Sequence, residues 1–141
     1  MTTPHRKLKI LVADDHKITA DTLALILIQN GCEAVAVYCG EDAVKLSAEL
    51  NPDVLISDVV MPGMNGIEAA ILIGTALPRC EIVLVSGQHE TEDLLHDAGL
   101  RGYVFEVLPK PVHPDAMLAR LQQPRSTTNR HWSTSFPKNQ A

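Results

Sequence analysis

The sequence lacks any apolar run long enough to cross a bilayer. Its longest apolar-rich stretch, Leu23–Ile28, falls far short of the roughly 20 residues that a spanning helix needs. The stretch MTTPHRKLKILVADD is not expected to be a secretory leader, because the acids Asp14 and Asp15 cut the apolar stretch short. Cysteine is scarce. Cys32, Cys39 and Cys80 are odd in number and show no metal-ligand spacing, so they read as thiols in a reducing cytosol rather than a disulfide framework. Positive charge is in deficit, and a formal net charge of −5 argues against a nucleic-acid surface spread over the whole domain. No glycine-rich turn follows the first apolar run, which argues against a dinucleotide-binding domain. No internal repeat is visible. These absences predict a soluble, cytoplasmic protein that acts away from membranes and without direct nucleic-acid binding.

What remains is the composition of a globular domain. The chain has 141 residues, 45% hydrophobic and 21% charged. That is enough to bury a core without disulfide or metal staples. Leu8 and Ile10–Ala13 form a short branched run ended by acids, as in a strand buried on both faces. Ile18–Gln29 is long enough for a helix and closes on Asn30-Gly31. Glu33–Tyr38 predicts a second strand, Gly40–Leu50 a helix broken by Pro52, and Val54–Ile56 a third buried strand ending at Ser57-Asp58. The turn formers of residues 61–66 precede a helix over Ile67–Leu77. Ile82–Val85 is a fourth strand, Glu90–Ala98 a short acidic helix before Gly99, and Tyr103–Leu108 contains a fifth strand. Pro114 opens a last helix to about Leu121, at a position where its missing N–H costs nothing. From Pro124 onward, PRSTTNRHWSTSFPKNQA has no apolar periodicity and no acid. The expected organisation is a leader over 1–8, one domain over 9–122 and a flexible, mildly basic tail over 123–141.

Five strands alternating with five helices predict an α/β domain, a parallel sheet with helices on both faces. Right-handed crossovers then place all strand C-termini along one edge. Asp14 and Asp15 follow the first strand, Asp58 the third, Ser86 the fourth and Lys110 the fifth. Singly, each has a bland reading: acids that cap a helix, an acid or serine in a turn, a solvated lysine. Met61 and Met64 read as packing residues, and the six histidines as surface or structural. Convergence changes the reading. Three crowded carboxylates need a cation, and oxygen-only ligands with room for water suit Mg²⁺. Beside such an ion a carboxylate can act as nucleophile toward phosphorus, with Lys110 pairing the added charge and Ser86 donating to a phosphoryl oxygen.

The strings ILVADD, VLISDVVMPGMNGIE, IVLVSG and LPKP, in this order, resemble the sequence blocks of the bacterial response-regulator receiver family. The resemblance covers roughly residues 9–121. It implies a flavodoxin-like (βα)5 doubly wound sheet with strand order 2-1-3-4-5. Asp58 would be phosphorylated by a histidine kinase or phosphotransfer protein. Asp15, Asp58 and the Val60 carbonyl would bind Mg²⁺ directly, with Asp14 acting largely through water. Ser86 would be the switch hydroxyl, Lys110 the phosphate-pairing cation, and Pro111 would follow a cis peptide. Such a protein is not an enzyme beyond its own phosphorylation and slow autodephosphorylation. A stand-alone receiver is expected, acting through a downstream protein or a phosphorylation-dependent dimer.

Two departures concern the output face. Receivers carry Tyr or Phe three residues before the lysine, where this chain has Val107, and the run from Gly99 to Lys110 is longer than usual. Tyr103 or Phe105 could supply the aromatic instead. Two other readings compete. A degenerate receiver would keep the fold as an interaction module and ignore phosphate. A phosphatase of the aspartyl-phosphate type would want Asp-x-Asp after the first strand, where this chain has adjacent acids and then His16.

Overall fold

The computed structural model describes residues 6–87 and 90–123. The expected tail and most of the leader therefore lie outside the described residues. The strands are β1 (Lys9–Ala13), β2 (Glu33–Val37), β3 (Val54–Asp58), β4 (Glu81–Ser86) and β5 (Glu106–Pro109). The helices are α1 (Lys17–Gln29), α2 (Gly40–Leu50), α3 (Gly66–Ala76), α4 (Glu90–Leu100) and α5 (Pro114–Leu121). All strand pairings are parallel, in the order β2-β1-β3-β4-β5, as expected.

Alternation along each strand builds two cores. Ile10 and Val12 face one way, onto Ala20 and Leu27 of α1 and Met117 of α5. Leu11 and Ala13 face the other way, in one cluster with Ala43 of α2, Ile73 of α3 and Ala98 of α4. The central strands β3 and β4 are buried at every position, whereas edge strand β2 alternates between exposed and half-buried until Val37, which is buried. That contrast follows from helices covering both faces of the sheet's centre. A fully buried Leu or Ile of this kind contributes about 1.5–3 kcal/mol of transfer free energy.

Two local devices hold the loops at the sheet's carboxyl edge. Asn65 and Glu68 form a reciprocal capping box at the start of α3, with N–H to carboxamide and carboxylate distances of 2.9 and 3.0 Å. The next residue, Gly66, donates to the Val59 carbonyl at 2.8 Å, and a Cβ there would stand 1.9 Å from the Asp58 carbonyl oxygen. Only glycine lets α3 begin so close to the end of β3.

The fourth helix and fifth strand differ from expectation. Gly99 does not stop α4, which runs to Leu100. The stop is Gly102, at φ 94°, where Gly102 N–H bonds to the Gly99 carbonyl and Tyr103 N–H to the Ala98 carbonyl. This is a Schellman termination, and it needs a residue tolerant of positive φ one turn later than Gly99. Strand β5 accordingly starts at Glu106 rather than near Tyr103. The Lys110–Pro111 peptide is cis.

Candidate functional site

Register explains why distant residues meet. Ala13 pairs with Ser57, Asp58 with Val85, and Ser86 with Pro109. The next residues along β1 and β5 are Asp14 and Lys110, so all of these strand ends share one edge of the sheet. Lys110 is further fixed by its backbone N–H, which donates to the Ser86 carbonyl at 2.9 Å.

Asp58 is 7% exposed and Asp14 6%. Lys110 Nζ donates to Asp58 Oδ2 at 2.9 Å and lies 3.9 Å from Asp14 Oδ2. Burial raises the Asp58 carboxyl above its ordinary range; Lys110 opposes the shift, and the Asp14 charge adds to it. Lys110 is held above its ordinary value although burial works against it, because Asp58, Asp14 and Asp15 all favour the ammonium. The acids outnumber the cation, so the cluster carries excess negative charge in a poorly solvated place.

Asp15 carries a second sign of this imbalance. Its Oδ1 is buried without a hydrogen-bond partner. A buried carboxylate oxygen left in this way costs free energy unless something positive meets it. Ligand atoms of Asp14, Asp15, His16 and Asp58 all lie within 4.8 Å of one another. The donor set fits a hard divalent cation. His16, read from sequence as surface or structural, N-caps α1 by position and stands beside this cluster, with Nδ1 3.4 Å from Asp14 Oδ1. Its place directly after Asp14-Asp15 was the only signal available.

A cleft of about 720 Å³ opens beside the acids, lined by Ile18 and Leu23 of α1, by Pro111 and Val112, and by Met117 of α5. Asp14, Asp58 and Lys110 border it. Val60, two residues beyond Asp58, is 39% exposed. The Ser86 hydroxyl lies 2.5 Å from that of Thr91 on α4. Sequence reading missed Thr91, because a contact between residues five apart on two different elements leaves no periodic signature. Val107 is half-buried, and the rings of Tyr103 and Phe105 stack with centroids 6.5 Å apart, packed against the same core cluster as Leu94 and Leu95 of α4.

A doubly wound parallel sheet in the order 2-1-3-4-5, with three acids and a lysine at its carboxyl edge, defines a flavodoxin-like α/β domain. The chain belongs to the response regulator receiver domain family, whose profile matches residues 10–122. It is a receiver domain of the two-component response regulators. It is similar to the response regulator GacA of Pseudomonas aeruginosa, at 37% identity over 101 residues, covering 69% of this chain and 47% of that protein. It is also similar to the DNA-binding response regulator MtrA of Mycobacterium tuberculosis, at 30% identity over 114 residues, 81% of this chain and 49% of that one. The chain thus spans about half the length of the curated relatives it matches. Among solved structures, the chemotaxis protein CheY4 of Vibrio cholerae shares the fold with a TM-score of 0.73, at 24% identity over 83% of this chain and 98% of that one. Among the described residues, no helix is long and apolar enough to cross a membrane.

Proposed function

We propose that this receiver accepts a phosphoryl group on Asp58, with Mg²⁺ bound by Asp14, Asp15, Asp58 and the Val60 carbonyl. The observation that carries the reading is the buried Asp58 carboxylate, paired with Lys110 at 2.9 Å beside an Asp15 oxygen that no hydrogen bond reaches and that has only the His16 Nδ1 at 3.7 Å. An Asp58 oxygen attacks phosphorus, and a P–O bond forms as the bond from phosphorus to the donor's leaving atom breaks. The leaving electron pair stays with the donor. Lys110 is already aimed at the carboxylate, so it can pair with the phosphoryl oxygens without a large excursion. Ser86 lies on the neighbouring strand end and donates to one of those oxygens. The metal, when bound, offsets the negative charge that collects on the transferred group.

The donor is a phosphohistidine of a sensor kinase or phosphotransfer protein. The cleft bordered by Asp58 supports this, since its apolar walls of Ile18, Leu23 and Val112 give a partner something to bury beside the acids. A cytoplasmic location agrees with such a donor. The domain spans 9–122, and its output passes to a downstream protein or through a phosphorylation-dependent dimer.

The test is intact-mass measurement after incubation with acetyl phosphate and Mg²⁺. One added phosphate is expected on the wild type, and none on Asp58→Asn or after EDTA. Equal labelling of wild type and Asp58→Asn would move the acceptor elsewhere. An unlabelled wild type would favour the phosphate-independent interaction module, and continuous turnover without retained label a phosphatase.

A further inference from the structure

The hydroxyl assigned to switching is already engaged. Ser86 Oγ and Thr91 Oγ1 lie 2.5 Å apart, and the two residues are 8% and 3% exposed. A hydrogen bond between two buried hydroxyls is costly to break without a replacement. Among the hydrogen bonds of the described residues, the Ser86 hydroxyl reaches neither Asp58 nor Lys110; Lys110 bonds Asp58 instead. Thr91 stands in the first turn of α4, so this bond ties the end of β4 to the start of that helix. At the position where an aromatic ring could report the motion of Ser86, the chain has Val107, a side chain with little sweep.

We propose that Thr91 is a positioning residue for Ser86: it holds the hydroxyl toward α4, and a phosphoryl group on Asp58 must compete for it. The inference rests on the reading of Asp58 as phosphoacceptor. Hydrogen bonds to a charged acceptor are roughly twice as strong as those between neutral groups, so the phosphoryl oxygen wins the contest. Release of Ser86 then changes the hydrogen bonding of the first turn of α4 directly. The coupling needs no aromatic ring: the same hydroxyl is shared between two arrangements, and phosphate shifts the population between them.

The geometry sets the sign of the effect. Holding Ser86 toward α4 lowers the affinity for a phosphoryl group, so removing the Thr91 hydroxyl raises it. Beryllofluoride serves as the probe, with Mg²⁺ present and binding followed by amide NMR. Thr91→Val, nearly isosteric, should bind about three- to tenfold more tightly than wild type, the range set by one net hydrogen bond. Thr91→Ser restores the hydroxyl and should return the wild-type affinity. Before any beryllofluoride is added, the amide signals of residues 94–98 in Thr91→Val should already lie part of the way toward their bound positions. In a Ser86→Ala background the Thr91→Val change should have no effect on affinity, because there is no hydroxyl left to hold. If Thr91→Val folds poorly, Thr91→Ala gives the same comparison.

Equal or weaker binding by the Thr91 variants, with the wild type binding normally, overturns this inference alone. So does a tightening that persists undiminished in the Ser86→Ala background, which marks a purely structural role. A wild type that binds no beryllofluoride overturns the phosphoacceptor reading and this inference with it.

Discussion

The two edges of the sheet handle charge in opposite ways. At the amino edge, acids are matched by guanidiniums. Arg120 of α5 pairs with Glu81, which opens β4, and with Glu106, which opens β5, at 2.5 Å to the latter. Arg6 makes a bidentate pair with Asp53 at 3.0 Å to each oxygen, and Asp53 also accepts the Lys9 backbone N–H. Glu106 first, and Glu81 with it, holds the Arg120 guanidinium above its ordinary value against the effect of burial. At the carboxyl edge, three aspartates face one lysine, and burial lifts Asp58 toward its neutral form. Each of these acids at the amino edge thus has a guanidinium partner, whereas three acids share one lysine at the carboxyl edge. The Arg120 pairs tie α5 to the starts of β4 and β5. Unbalanced charge leaves a site hungry for a cation, a condition that a purely structural edge would have no reason to keep.

Breaking the paired edge should give the largest effect. Arg120→Met removes the cation between Glu81, 8% exposed, and Glu106, and is expected to cost about 3 kcal/mol in urea denaturation at neutral pH. A loss well under 1 kcal/mol would show that the amino edge does not depend on that pairing.

Supplying the missing charge at the other edge should come next. Bound as proposed by the native cluster and not by the unfolded chain, Mg²⁺ at a hundred times its dissociation constant should stabilise the fold by about 2.7 kcal/mol. The check is thermal unfolding with and without EDTA. Asp15→Asn, which alters the residue whose buried oxygen no hydrogen bond reaches, should blunt the response while leaving the Arg120 edge intact.

A smaller effect comes from relieving the imbalance without metal. Because the folded-state pKa of Asp58 lies above its ordinary 3.8, the fold favours the neutral carboxyl. That contribution is fully present below 3.8 and is lost as pH rises through the folded value. Asp58→Asn, neutral at every pH, should therefore show a higher Tm than wild type at pH 7 in EDTA. The gap should close as pH falls toward 3. A wild type more stable than the variant at pH 7 would mean that Lys110 outweighs the burial of Asp58.

The carboxyl edge was legible in the sequence, and the amino edge was not. Asp14, Asp15, Asp58, Ser86 and Lys110 each follow an apolar run, and topology alone sends the ends of parallel runs to one edge. Glu81, Glu106 and Arg120 belong to three different elements, and nothing local marks them as partners. The same limit applies to Thr91, whose partner is fixed by how α4 docks. The boundary of α4 was misplaced for a simpler reason: Gly99 and Gly102 both look like helix stops. Only hydrogen bonding to the Gly99 and Ala98 carbonyls shows which one terminates the helix. Val107 and the longer run to Lys110 were visible from the start, but their consequence depends on how α4 and β5 pack, which residue spacing does not encode.

The subtlest test of the unbalanced edge concerns how long it keeps a phosphoryl group. Hydrolysis of the acyl phosphate needs a water in line with the Asp58–phosphorus bond, on the far side of phosphorus from the aspartyl oxygen. The resemblance to receivers places two side chains beside that line, Val60 and Gln88; Gln88 lies outside the described residues. Val60 is 39% exposed two residues beyond Asp58, and so open to solvent. Its isopropyl group offers no donor or acceptor, so a water there keeps its orientation only through other waters. An amide at the same place could hold the water by one hydrogen bond. It would not be a base, so its effect should fall below the hundredfold or more expected of general base catalysis, at about tenfold or less. Val60→Asn should therefore shorten the lifetime of the phosphorylated protein, followed by loss of the added mass after acetyl phosphate is removed. Val60→Ala is the control: it opens the same space without a hydrogen-bonding group and should change the lifetime little. A lifetime unchanged in Val60→Asn, or shortened equally in both variants, would show that access rather than orientation limits hydrolysis at this edge.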